Sequence, residues 1–196
     1  ALSDVSAYGY AFRRHGDGDS KLFTQLLQNG VRLRTNSEPF VLDGIHYERG
    51  TTLILRGDQE IGSDWESELF QGAVDAGVEL QPLSGGFADS GPDMGSDDIW
   101  FVKAPRVAVL TGPGVSSLGA GEVWWHFEEE LSYPISMISA EGSDPGDWDS
   151  YDVVIMPSGW YRGTDADWME SASTWVREGG KIIALAGALR FFEGEN

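Results

Sequence analysis

The chain has no cysteine. Disulfides, thiolate metal ligands and cysteine nucleophiles are therefore excluded throughout its 196 residues. No apolar run reaches the roughly 18 residues that a membrane-spanning helix needs, so no membrane partner is expected. The opening ALSDVSAYGY lacks the basic and apolar regions of a signal peptide. Positive charge is scarce: 13 Lys and Arg stand against 32 Asp and Glu, for a formal charge of −19. Such a surface repels nucleic acid and anionic lipid, and suits solubility or a salty habitat. Histidine is rarer still, with His15, His46 and His126 far apart in the sequence. Against these shortages, 41% of residues are hydrophobic, which is enough for a buried core in one sizeable domain or two small ones. Eight tryptophans are more than a core of this size requires, so some are expected at an interface.

One pattern recurs three times: a helix, a glycine, then a β-branched run. It reads KLFTQLLQNG-VRLR, ESELFQGAVDAG-VELQPL and MESASTWVREGG-KIIALAG. Glycine suits the left-handed position that closes a helix, and the run after it suits a strand. The alternation predicts helices on a mostly parallel sheet. Ser63 with Glu66, and Thr164 with Asp167, have the spacing of capping pairs. Apolar strands are expected at Arg106–Leu110, Ile135–Ile138, Val153–Met156 and Lys181–Ala186, buried on both faces. The segment around His46, DGIHYERG, reads as a hairpin. Gly85 to Pro105 is rich in Gly, Asp, Ser and Pro and reads as a long connection. The division expected is residues 1–103, an α/β segment with a β-hairpin, and residues 104–196, a second α/β domain.

From Pro105 on, PRVAVLTGPGVSSLGAGEVWWHFEEEL, YDVVIMPSGW and GGKIIALAGALRFF together resemble a class I glutamine amidotransferase-like domain. The combination resembles in particular the domain appended to certain bacterial zinc carboxypeptidases of the carboxypeptidase A type. SDVSAYGYAF and FVLDGIHYERGTTLILR resemble the region that joins the two in those proteins. The resemblance implies an α/β fold with a mostly parallel Rossmann- or flavodoxin-like sheet carrying helices on both faces. It implies an upstream peptidase domain as the partner, zinc in that domain and no cofactor here, and an exported, periplasmic or extracellular location. An active amidotransferase carries a cysteine on a sharp strand-to-helix turn. The corresponding turn is Leu185-Ala186-Gly187-Ala188-Leu189, and neither Ala186 nor Gly187 can attack a substrate. No catalytic residue is therefore assigned.

His126-Phe127-Glu128-Glu129 matches the H-x-x-E pattern with which carboxypeptidases hold zinc, but no histidine follows it. Helical periodicity puts Val123, Trp124, Phe127 and Leu131 on the buried face and Glu122, His126 and Glu129 on another, a charged face rather than a metal site. Trp124 is expected in the core. Trp125, about 100° further round, is expected to be exposed and to contact the peptidase domain or another copy of the chain, as in a homo-oligomer. The loop Thr111-Gly112-Pro113-Gly114-Val115-Ser116-Ser117 lies between strand and helix. Its N–H groups suit an anion, and its plainer role is a tight turn with Ser116 or Ser117 capping the helix. Ser158-Gly159-Trp160 follows the next strand. Gly112, Ser116, Glu122, Ser158 and Gly159 are thus the candidate ligand-binding residues, gathered where the strands of a doubly wound sheet end. Ser158 has no base beside it and is not a nucleophile. The leading expectation is a non-catalytic structural or interaction region, and the alternative is a small-molecule or anion-binding domain at this strand-end pocket.

Overall fold

A computed structural model of the chain describes residues 7–142, 144–161 and 166–192. The chain forms two compact units, Ala1–Ala104 and Pro105–Asn196. In the first unit, β1 (Gly9–Phe12) leads into α1 (Asp17–Gln28), then β2 (Arg34–Asn36), β3 (Phe40–Leu42), β4 (Ile45–Tyr47) and β5 (Thr52–Leu55). α2 (Trp65–Ala76), β6 (Gln81–Leu83) and β7 (Ile99–Phe101) complete it.

Five of these strands form a sheet of order β6-β1-β5-β2-β7, and every pairing in it is antiparallel. This corrects the expectation of a parallel sheet in the first half. The helix-glycine-strand signal was real at Gly30 and Gly77, which have φ of 78° and 68°. What followed each glycine was a strand only three residues long, placed after an irregular lead-in. Such strands carry no periodicity from which direction could be read. One sheet face, with Tyr10, Phe12 and Ile54, packs under α1 and α2 through Leu22, Leu26, Trp65 and Leu69. The other face, with Ala11, Leu53, Leu55 and Leu83, packs against Phe40, Leu42, Tyr47 and Met94. β3 and β4 form the expected hairpin, turning at Asp43 and Gly44, both at positive φ as a tight two-residue turn requires. Phe40 and Tyr47 stack across it with ring centroids 4.6 Å apart.

Gly85 to Pro105 is not a linker. Within it Met94 and Ile99 are buried, Ser90 bridges to Val41, and β7 forms one edge of the sheet. Its composition comes from its turns, while a few apolar residues tie it down. The Ser63–Glu66 capping pair is also absent. The helix starts one residue later, with Asp64 at its cap, and the Ser63 hydroxyl donates instead to the Glu60 carbonyl. Glu66 is drawn to Arg56, with Nη2 2.7 Å from Oε1.

The second unit runs β8 (Val107–Thr111), α3 (Ser117–Trp125), β9 (Ile135–Ser139), β10 (Val153–Met156), α4 (Ala166–Arg177) and β11 (Lys181–Ala184). Its four strands form a wholly parallel sheet of order β11-β10-β8-β9. The last strand stops at Ala184, two residues short of the expected end, because Ala186 begins a short 3₁₀ turn to Phe191. The central strands β8 and β10 are packed on both faces, whereas β9 and β11, at the sheet edges, leave Met137 and Ile183 exposed, a correction to their expected burial on both faces. Val107, Val109, Ile135 and Ile155 lie with Ala120 and Tyr133 on the α3 side, and Ala108, Leu110, Val154 and Met156 lie under α4. On the α4 side Trp148 is 1% exposed. It meets Trp168 and Trp175 edge-on at 5.5 and 5.4 Å, and the Trp175 indole N–H donates to the Trp148 carbonyl. Gly179, at φ 112°, closes α4 as expected. The expected cap Thr164 lies outside the described residues.

α3 does not continue as a regular α-helix. Residues His126–Glu130 form a wide π turn, closed by the Leu131 N–H donating to the His126 carbonyl five residues back. The turn brings Glu128 round so that its Oε1 accepts the Ile135 N–H at 3.2 Å. The predicted faces survive in outline: Val123, Trp124, Phe127 and Leu131 pack on the α3-side core. Trp124 is nonetheless only half-buried, a correction to its expected place in the core, whereas Trp125 is 52% exposed.

Candidate functional site

The carboxyl ends of β8, β10 and β11 open into a cleft of about 740 Å³. Three loops line it: Gly114, Val115 and Ser116 after β8, Ser158, Gly159 and Trp160 after β10, and Gly187, Arg190 and Phe191 after β11. The first two loops are fastened together by backbone. The Ser116 N–H donates to the Ser158 carbonyl at 2.8 Å, and the Trp160 N–H donates to the Gly114 carbonyl at 2.8 Å. Val115 and Gly159 face one another as an isolated antiparallel bridge. Glycine is required at 159, since a Cβ there would lie 2.7 Å from the Gly114 carbonyl oxygen. The third loop lies equally close, for a Cβ on Gly187 would lie 2.6 Å from the Ser158 hydroxyl oxygen.

Ser116 has the capping role expected of it, accepting the Gly119 N–H on its hydroxyl at 3.1 Å. Beneath the rim, Tyr161 is buried at a positive φ of 38° and its hydroxyl donates to the Pro157 carbonyl. Burial holds that phenol well above its ordinary pKa, so it is a neutral donor at neutral pH. At the turn after β11, Ala186 adopts φ 47°, the left-handed region that alanine seldom enters.

Of the five ligand-binding candidates, Ser116, Ser158 and Gly159 line this cleft. Gly112 and Glu122 do not. Gly112, at φ 98°, turns toward Ser139 at the end of β9, and Glu122 sits on the exposed side of α3. Gly112 belongs to the turn after β8 and Glu122 to the helix that follows, but sequence position does not tell which way either faces. Arg190 and Phe191 lie beyond the sequence reading, while Trp160 belongs to the Ser158-Gly159-Trp160 loop expected at the strand ends. Trp160 is 82% exposed at the rim, and the Arg190 guanidinium makes no hydrogen bond or ion pair with any described residue. A cation inside the apolar stretch ALRFF was the available signal.

Glu122, His126 and Glu129 are all exposed on the α3 surface. Among the described residues no group of three or more His, Asp or Glu side chains is disposed to hold a metal ion. His15 is exposed. His46 is exposed too, with Nδ1 3.3 Å from Glu48 Oε1. No family model, curated protein or solved structure matches the chain.

Proposed function

We propose that the chain is a non-catalytic accessory region of a zinc carboxypeptidase-like protein, with a second unit of the flavodoxin-like, class I glutamine amidotransferase-like kind. Two features support the fold half of the proposal. Counted within the unit, the strand order is 2-1-3-4, the first four strands of the doubly wound order 2-1-3-4-5. The cleft also lies at the carboxyl ends of the strands, where such sheets bind ligands.

The functional half rests on Ala186. A nucleophile elbow holds its residue in a strained conformation at a strand-to-helix turn so that the side chain stands clear of the sheet. Ala186 has that place and that positive φ, and presents only a methyl group. A left-handed alanine costs roughly 1–2 kcal/mol relative to an ordinary conformation, so the turn keeps a costly geometry without a reactive atom. The exposed Trp125 is then the contact to the peptidase domain or to another copy of the chain.

The reading requires a coding sequence ahead of Ala1 that contains an H-x-x-E motif followed at a distance by a histidine; its absence would remove the carboxypeptidase assignment. It also predicts that Trp125→Ala weakens association with that domain by about 2 kcal/mol, as aromatic anchors do. The stability of the isolated chain should stay within about 0.5 kcal/mol of wild type.

Arg190 favours a second function for the same cleft. An unpaired guanidinium beside Ser116 and Ser158 suits a small carboxylate or phosphate. Titration with phosphate and with glutamate, followed by Trp160 fluorescence, tests it. A saturable change lost in Arg190→Gln supports binding, and a flat response excludes it.

A further inference from the structure

The first unit holds a separate concavity of about 470 Å³, within the usual range of small-molecule sites. Its wall is apolar where Ile45 and the buried Tyr47 line it, and its polar groups carry both signs of charge. Arg13 comes from the residue after β1, Asp19 from the first turn of α1, and Glu79 from the approach to β6. These charges do not neutralise one another. The Arg13 guanidinium donates one hydrogen bond, from Nη2 to the His46 carbonyl at 3.0 Å, and forms no ion pair among the described residues. Asp19 uses Oδ2 to accept the N–H groups of His15 and Gly16, which leaves Oδ1 for another donor. The Glu79 carboxylate has no partner among the described residues.

We infer that this pocket binds a small zwitterion of the amino-acid or dipeptide class. The carboxylate pairs with Arg13, the ammonium with Glu79 and Asp19, and an apolar side chain lies against Ile45 and Tyr47. The charge pattern selects this class over simpler ions. A plain anion must approach a chain of formal charge −19, and then shares the pocket with two carboxylates. A plain cation gains those carboxylates but meets the like charge of Arg13 in the same pocket. A net-neutral ligand carrying both charges satisfies each group. It does so without the cost of crossing the field of the whole chain. The inference stands on the first unit alone and is independent of the proposal for the second.

The probe is L-leucyl-L-leucine, titrated into the full chain and followed by calorimetry and by amide shifts. Two control ligands each lack one charge: the N-acetylated dipeptide and the dipeptide amide. The dipeptide should bind with a millimolar or lower Kd, and each capped form at least about tenfold more weakly. Arg13→Gln and Glu79→Gln should each weaken the dipeptide about tenfold or more without moving the melt, because both side chains are exposed. Equal affinity for the capped ligands would overturn the inference, as would binding unaffected by both substitutions. No binding at about 10 mM dipeptide, where even a weak millimolar site would be mostly filled, would overturn it too.

Discussion

Gly159→Ala should damage the second unit out of proportion to the single methyl it adds. The new Cβ would lie 2.7 Å from the Gly114 carbonyl oxygen and 3.1 Å from both the Val115 Cα and the Tyr161 ring. Two of those three neighbours are backbone atoms, so no side chain can turn aside to relieve the clash. The loops after β8 and β10 must part, which loses or stretches the bonds from the Ser116 and Trp160 N–H groups. Each is worth about 1 kcal/mol, and forcing a methyl into a filled site costs about 1–3 kcal/mol more, so a loss of up to about 3–5 kcal/mol is expected. Gly121→Ala is the matched control. Gly121 lies within α3 with open space around its Cβ position, so alanine there should stabilise by about 0.4–1 kcal/mol. Urea unfolding followed by tryptophan emission reports mainly this unit, which holds six of the eight tryptophans. The midpoints should move in opposite directions at an unchanged slope. A Gly159→Ala midpoint within error of wild type would show that the two loops are not fastened as described, and the cleft would lose its frame.

Trp148→Ala should cost about 3–5 kcal/mol, since it empties a fully buried site and removes both edge-on contacts to Trp168 and Trp175. Denaturant melts of the variant measure this directly. Alkali should also weaken the second unit. Burial raises the pKa of Tyr133 and of Tyr161 above the ordinary phenol value of about 10. Above that pH the unfolded chain releases protons that the folded one keeps, so the stability these phenols contribute is complete below about pH 10 and falls as pH rises further. Tyr161→Phe should flatten that decline, which a series of melts against pH will show.

The second unit was the more legible in the sequence, for a physical reason. Its two central strands, β8 and β10, are continuous apolar runs buried on both faces, and β8 is followed by a helix with a serine cap at its start while the helix before β11 has a glycine at its stop. The Ser116 cap, the exposed Trp125 and the strand-end loops at Ser116 and Ser158 all follow from such local signals. The first unit was misread because direction is not a local property. Three-residue strands such as Arg34–Asn36 and Gln81–Leu83 look alike whether paired parallel or antiparallel. Only contacts distant in sequence, such as Arg34 with Phe101, decide between the two. The same holds for the cleft. Ser158 and Gly159 follow directly from a legible strand, whereas Arg190 reaches the cleft through a 3₁₀ turn that no periodicity announces. The π turn at His126–Glu130 was likewise hidden, because a sequence read at 3.6 residues per turn cannot show an inserted residue.

On the proposed reading, the turn at Ala186 keeps the shape of a catalytic elbow without its chemistry. Its most direct test is turnover by the purified chain, offered glutamine and, separately, peptides with free carboxyl termini, before and after chelation. The account predicts ammonia release and peptide cleavage indistinguishable from buffer in every case. Turnover that co-purifies with the chain and survives chelation would contradict it.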